Sequence, residues 1–165
     1  MAEGTERQPV VDMKNRKIVG IGIVVADVAK TAKRYSEIFG VGPWMFYDLS
    51  ATDVTLHGKT LGDFDMGVRV ARANLTGLEF ELIQPLYGPG TQMEFFQTHG
   101  EGIHHISFGE VDNYDAVISG LQSKGIGMGM QGTLGDAANF SYMDTVQELG
   151  TSFEIVKPSP PGVSA

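Results

Sequence analysis

The chain has no cysteine. That excludes disulfides, cysteine-ligated zinc and a thiol nucleophile. It is also short of positive charge, with 12 Lys and Arg against 20 Asp and Glu and a formal net charge of −8. Such a surface has no basic field to neutralise phosphates, so nucleic acid is excluded as a partner. A polyanionic ligand such as a coenzyme A thioester is disfavoured less strongly. Long apolar runs are missing too. The longest, around residues 21–26, is far below the ~20 residues that span a bilayer. Residues 1–17 are polar and carry no apolar stretch of the signal-peptide kind. These absences predict a soluble, cytoplasmic protein without a membrane partner.

What is present is a repeat. Residues 20–27, GIGIVVAD, return 85 positions later as residues 105–112, HISFGEVD. Residues 80–85, FELIQP, return 73 positions later as residues 153–158, FEIVKP. Between the members of each pair the local signals also match. Ile18–Ala26 is β-branched and reads as a strand. Asp27 is a helix cap, Val28, Ala32, Tyr35, Ile38 and Phe39 form an apolar stripe, and Gly40 ends the helix. In the second copy Ile103–Phe108 is the strand and Asp112 the cap. Tyr114, Val117, Ile118 and Leu121 form the stripe, and Gly125 is the stop. Agreement at strand, cap and stop argues for two copies of one unit.

After each helix come three strands. The first copy places them at 44–49, 65–73 and 77–84, the second at 128–132, 140–143 and 151–157. The order β-α-β-β-β, twice, predicts an α+β fold. Two small mixed sheets pair into an incomplete β-barrel that encloses a cleft, with helices outside. The expected organisation is a flexible arm over 1–16, a single domain over 17–158 and a tail over 159–165. Module one is 17–85, the link is 86–102 and module two is 103–158. Met93, Phe95 and Phe96 predict a short helix in the link.

Chemistry is expected where polar residues interrupt apolar strands. Glu81 lies between Phe80 and Leu82, and Glu154 between Phe153 and Ile155. Strand alternation turns each glutamate to the face opposite its apolar neighbours. A carboxylate there is costly unless it meets water, a partner or a ligand. His105 shares the repeated pattern. His104, beside it, points the other way.

With these residues in view, the chain resembles the vicinal oxygen chelate superfamily, the fold of glyoxalase I and methylmalonyl-CoA epimerase, and most closely its epimerase-like branch. The resemblance spans about residues 17–158. It rests on residues 21–27, 39–44, 81–85, 100–106 and 153–158. It implies a divalent metal held by one residue from each of four strands, at positions 20, 81, 105 and 154. Glu81, His105 and Glu154 are ligand types, but Gly20 has no side chain to offer.

The missing ligand turns the preferred reading away from a required cofactor. The alternative is a divalent ion held by Glu81, His105 and Glu154 alone. Family chemistry passes through an enolate, and a carboxylate can make one without metal. The expected function is therefore a racemase or epimerase that moves a proton α to a carbonyl. Glu154 or Glu81 serves as base, with His105, His57, Tyr47 or Tyr142 as donor to the oxyanion. The space freed at Gly20, with Trp44, Tyr47, Tyr142, His57 and His104 as candidate substrate contacts, suits an uncharged cyclic or aromatic ketone. A dihydroisoflavone of the dihydrodaidzein type is the concrete candidate. Methylmalonyl-CoA or another acyl-CoA is the alternative substrate, and a non-catalytic binder of hydrophobic drugs the alternative class. A homodimer is what the resemblance implies.

Overall fold

A computed structural model describes residues 9–10, 16–61, 66–134 and 138–157. Most of the expected arm and the expected tail lie outside these described residues. The elements are β1 (Gly20–Val24), α1 (Val28–Phe39), β2 (Met45–Leu56), β3 (Lys59–Thr60), β4 (Met66–Leu75), β5 (Leu78–Tyr87), α2 (Thr91–His99), β6 (Gly102–Glu110), α3 (Tyr114–Ser123), β7 (Met128–Leu134), β8 (Ala138–Met143), α4 (Val146–Leu149) and β9 (Ser152–Lys157). Two β-α-β-β-β units are evident, with α2 as the link helix. The hairpin strand β3 and the single turn α4 were not foreseen.

The two expected sheets are one. Nine strands run in the order β3-β2-β4-β5-β1-β6-β9-β8-β7. The units join where β1 pairs antiparallel with β6. The sheet curls until β2 meets β7, with Thr55 opposite Gln131 and Leu56 opposite Met130. Only the second half of β2 makes that pairing. Among the described residues its first half, Met45–Ser50, pairs with β4 alone, so the barrel is incomplete there.

Alternation along the strands separates an outer face from an inner one. On β5, Phe80 and Leu82 face out and pack with Val28 and Ala32 of α1, while Glu79, Glu81 and Ile83 face in. On β9, Ile155 packs outward with Val117 and Ile118 of α3, and Glu154 faces in. Inside, Ala51, Val54, Val68, Val70, Met130 and Phe140 belong to a third apolar cluster. Buried apolar area on both faces is what offsets the cost of enclosing polar side chains between them.

The helix ends follow local chemistry. Asp27 caps α1, its carboxylate accepting from the Lys30 N–H at 2.9 Å, and Gly40 closes the helix at φ 69°. Asp112 does not cap α3 as expected. Asn113 occupies that position at φ 54°, and the Asp112 carboxylate pairs instead with Arg16 at 3.5 Å. Gly125 stands just past the end of α3 in a left-handed conformation, φ 87°, where its N–H reaches the Gln122 carbonyl. Among the described residues no helix is long and apolar enough to cross a membrane.

Candidate functional site

Strand register sets out the site in two rows. Gly22 on β1 is opposite Glu81 of β5 on one side and His105 of β6 on the other. The next row runs Glu79, Gly20, Ser107, Glu154 across β5, β1, β6 and β9. Both rows face the barrel interior. There a cavity of about 200 Å³ is walled by Leu49, Val68, Val70, Ile83, Met130 and Phe140.

His105 is the centre of the arrangement, with 1% of its surface exposed. Its Nε2 lies 3.8 Å from Glu81 Oε2 and 3.8 Å from Glu154 Oε2. Its ring reaches that point by leaning over Gly22, where any side chain would block it. The three residues singled out by the repeat therefore converge.

Each carboxylate has its own support. Arg72 on β4 gives Glu81 Oε1 a hydrogen bond of 2.7 Å from Nε, and its Nη1 lies 3.4 Å from Glu79. Glu81 is thus held by one oxygen and turned toward His105 by the other. Glu154 stands opposite Ser107 of β6 and Tyr142 of β8 in the strand register. Gln92, buried in the first turn of α2, lines the same cavity.

Burial dominates the electrostatics. It raises Glu81 to about 7, with Arg72 opposing and the charge of Glu154 adding to the rise. Burial also raises Glu154, and the hydrogen bonds from Ser107 and Tyr142 pull it back. His104 and His105 are pushed down to about 3, chiefly by desolvation of the charged ring. Both are neutral at physiological pH.

The two Nδ1 atoms are 3.1 Å apart, so one carries the hydrogen. The other ring nitrogen of His105, Nε2, is buried without a hydrogen-bond partner.

The remaining predicted residues divide. Tyr142 touches the site, its ring centroid 4.9 Å from that of His105, and Gly20 forms part of the cavity wall. Tyr47 is on the inner face beneath the Arg72 guanidinium, 5.3 Å from its ring centroid. Its hydroxyl is buried without a partner. Trp44 is not in the cavity. It packs outside against Tyr35 and Phe80, with Nε1 donating to Ser36 at 2.9 Å. His57 is not there either. It stands on the β2–β3 turn, paired with Glu94 at 2.9 Å. With His104 it lines a second, separate cavity beside α2.

Arg72, Glu79, Ser107 and Gln92 were not foreseen. For Arg72 and Glu79 a signal exists. Arg72 is two residues from Val70, and Glu79 two from Glu81, so period-two alternation puts all four on one face. Ser107 follows likewise from His105. Gln92 has no such signal, because its direction depends on how α2 docks.

The donors were also weighed against a divalent ion. An unpartnered imidazole nitrogen facing two carboxylates, with the other ring nitrogen hydrogen-bonded to a neighbour, is the chemistry such an ion uses. As placed, no three His, Asp or Glu side chains among the described residues close to ligating distance. Gly20 adds no ligand, and Arg72 already occupies Glu81.

Comparison with known proteins places the fold. The profile of the Glyoxalase/Bleomycin resistance protein/Dioxygenase superfamily matches residues 20–142. Curated proteins give no significant sequence match. Among solved structures, the hypothetical protein BH1468 from Bacillus halodurans C-125 aligns at TM-score 0.59 and 20% identity, over 92% of this chain and 100% of that one. Methylmalonyl-CoA epimerase from Mycobacterium tuberculosis aligns at TM-score 0.59 and 19% identity, over 87% and 88%. A methylmalonyl-CoA epimerase in complex with methylmalonyl-CoA and NH4+ aligns at 0.58 and 19%, over 87% and 95%.

Proposed function

The chain belongs to the glyoxalase/bleomycin resistance protein/dioxygenase superfamily, and from that footing we propose that it is an isomerase. It acts as a racemase or epimerase on the carbon α to a carbonyl. The observation that carries this reading is the pair Glu81 and Glu154, each 3.8 Å from the unpartnered Nε2 of His105, at a cavity whose wall also carries Leu49, Val68, Val70 and Phe140.

Glu154 takes the α-proton. The C–H pair becomes the carbon–carbon π bond of an enolate, and the carbonyl π pair moves onto oxygen. Glu81, raised to about 7, carries a proton in much of the population at neutral pH. It returns that proton to the opposite face of the carbon, and the roles exchange for the reverse direction. His105 Nε2 faces both carboxyls at 3.8 Å. General acid–base groups of this kind contribute roughly 10²–10⁴ in rate each.

The substrate we propose is an uncharged cyclic or aromatic ketone, of which a dihydroisoflavone is the concrete case. The apolar wall supports a neutral ring. Arg72 is the one Lys or Arg on that wall among the described residues, and it is shared between Glu79 and Glu81. The phosphates of a coenzyme A thioester find no free cation there. An acyl-CoA epimerase remains the second reading, favoured by the shared fold with methylmalonyl-CoA epimerases. A sequestering pocket gains little from two buried carboxylates.

The proposed reaction needs no cofactor. The unpartnered Nε2 favours one variant, in which Glu81, His105 and Glu154 hold a divalent ion. Bound there, it would supply Lewis-acid stabilisation of the enolate oxygen. We propose a homodimer in the cytoplasm, with exposed Ile38, Phe39, Met45 and Phe46 as apolar surface to cover.

The test is α-proton exchange. Chelator-treated protein with a dihydroisoflavone in deuterated water is expected to exchange the α-proton, followed by NMR. Tight binding without exchange of any carbonyl compound would favour the binder.

A further inference from the structure

We infer that Arg72, together with the hydroxyl of Tyr47, is the oxyanion-holding subsite of this cavity. This rests on the proposed proton transfer and adds the group that receives the negative charge.

Ser107 and Tyr142 stand beside the proposed base, each opposite Glu154 in the strand register. On β2 and β4 the inner face carries a phenol and a guanidinium. Arg72 carries five N–H groups; Nε and Nη2 contact Glu81 Oε1 at 2.7 and 2.5 Å, and its contact with Glu79 through Nη1 is longer at 3.4 Å. Tyr47 has a buried hydroxyl with no partner, and an orphaned buried donor calls for an explanation. The two are adjacent, the guanidinium 5.3 Å over the Tyr47 ring.

Charge accounting favours the same pair. Enolate formation moves one negative charge from a carboxylate to the substrate oxygen, leaving the total unchanged. The new position must lie beside a cation for this to help. Arg72 is already fixed against Glu81, so it stands ready without reorganising when the charge arrives. It occupies electrostatically the part that a fourth metal ligand at Gly20 does not supply.

The experiment uses 4-nitrophenol as a probe, since its phenolate is coloured and mimics an enolate oxygen on a ring. Wild-type protein is expected to bind it as phenolate, giving the coloured band below the solution pKa of the phenol. Arg72→Met is expected to lose roughly tenfold or more of that affinity, as a charge-assisted contact is removed. Arg72→Lys restores part of it, and Tyr47→Phe gives a smaller loss. Arg69→Met, on the outer face where Arg69 pairs with Asp48 at 2.7 Å, leaves binding unchanged. Circular dichroism reports whether each variant folds.

Wild-type protein that binds no phenolate, or Arg72→Met that folds and binds it equally well, overturns the subsite. Phenolate binding that depends on Arg72 but comes with no α-proton exchange on any ketone overturns the isomerase reading and leaves the subsite standing.

Discussion

The imidazole of His105 lies across the backbone of Gly22: a Cβ added at that glycine would come 2.0 Å from His105 Cε1. One missing side chain on β1 thus gives β6 its reach toward Glu81 on β5. Gly22→Ala forces the ring or the strand to move. We expect a loss of about 1–3 kcal/mol in urea unfolding, typical of an overpacked core. Turnover should fall with it. Gly20→Ala is the milder change, since its Cβ would stand 3.2 Å from that of Ser107.

The titrations of Glu81 and the two histidines predict a stability profile. Glu81 has a folded pKa raised to about 7, so the folded state holds its proton more tightly than the unfolded state. The unfolded carboxyl loses its proton near 4.5, so this group's contribution declines as pH rises from there to about 7, by up to about 3 kcal/mol in all, and is level above. Thermal midpoints between pH 5 and 7.5 should therefore rise more steeply with pH in Glu81→Gln, which lacks this loss, than in the wild type. Below pH 6.5 the sign reverses for His104 and His105, both held near 3. The unfolded chain takes up their protons first, so stability is lost as pH falls.

Much of this site was legible in the sequence, and the reason is periodicity. The repeat aligned Glu81 with Glu154, and period-two alternation turned both inward, where the structure places them. Asp27 as a cap was legible because its partner, Lys30, is local. Asp112 was not, because Arg16, far away in sequence, competes for its carboxylate. The single sheet was hidden for the same reason, since β1–β6 pairing is a long-range choice. Trp44 and His57 carry the right chemistry but sit on the wrong side of the wall, which spacing alone does not reveal.

Gly20→His should supply the absent fourth ligand. Calorimetric titration with a divalent ion such as Co²⁺ is expected to show tighter binding in this variant than in the wild type, with Glu154→Gln weakening both. Equal affinity in wild type and Gly20→His would mean that position 20 does not face the ion.

The exposed apolar side chains at 38, 39, 45 and 46 bear on assembly. Sedimentation equilibrium is expected to give twice the mass of one chain. Phe39→Glu with Phe46→Glu should shift it toward monomer. A wild-type monomer at high concentration would remove the homodimer.

The most direct measurement of carboxylate-driven proton transfer is α-proton exchange in deuterated water, using chelator-treated wild type and Glu154→Gln with one enantiomer of a dihydroisoflavone. Exchange and racemisation should proceed in the wild type without metal. They should drop roughly 10²–10⁴-fold in Glu154→Gln, the range of a general base. Exchange that stops with the chelator and returns only with a divalent ion, or that survives intact in Glu154→Gln, would contradict the account.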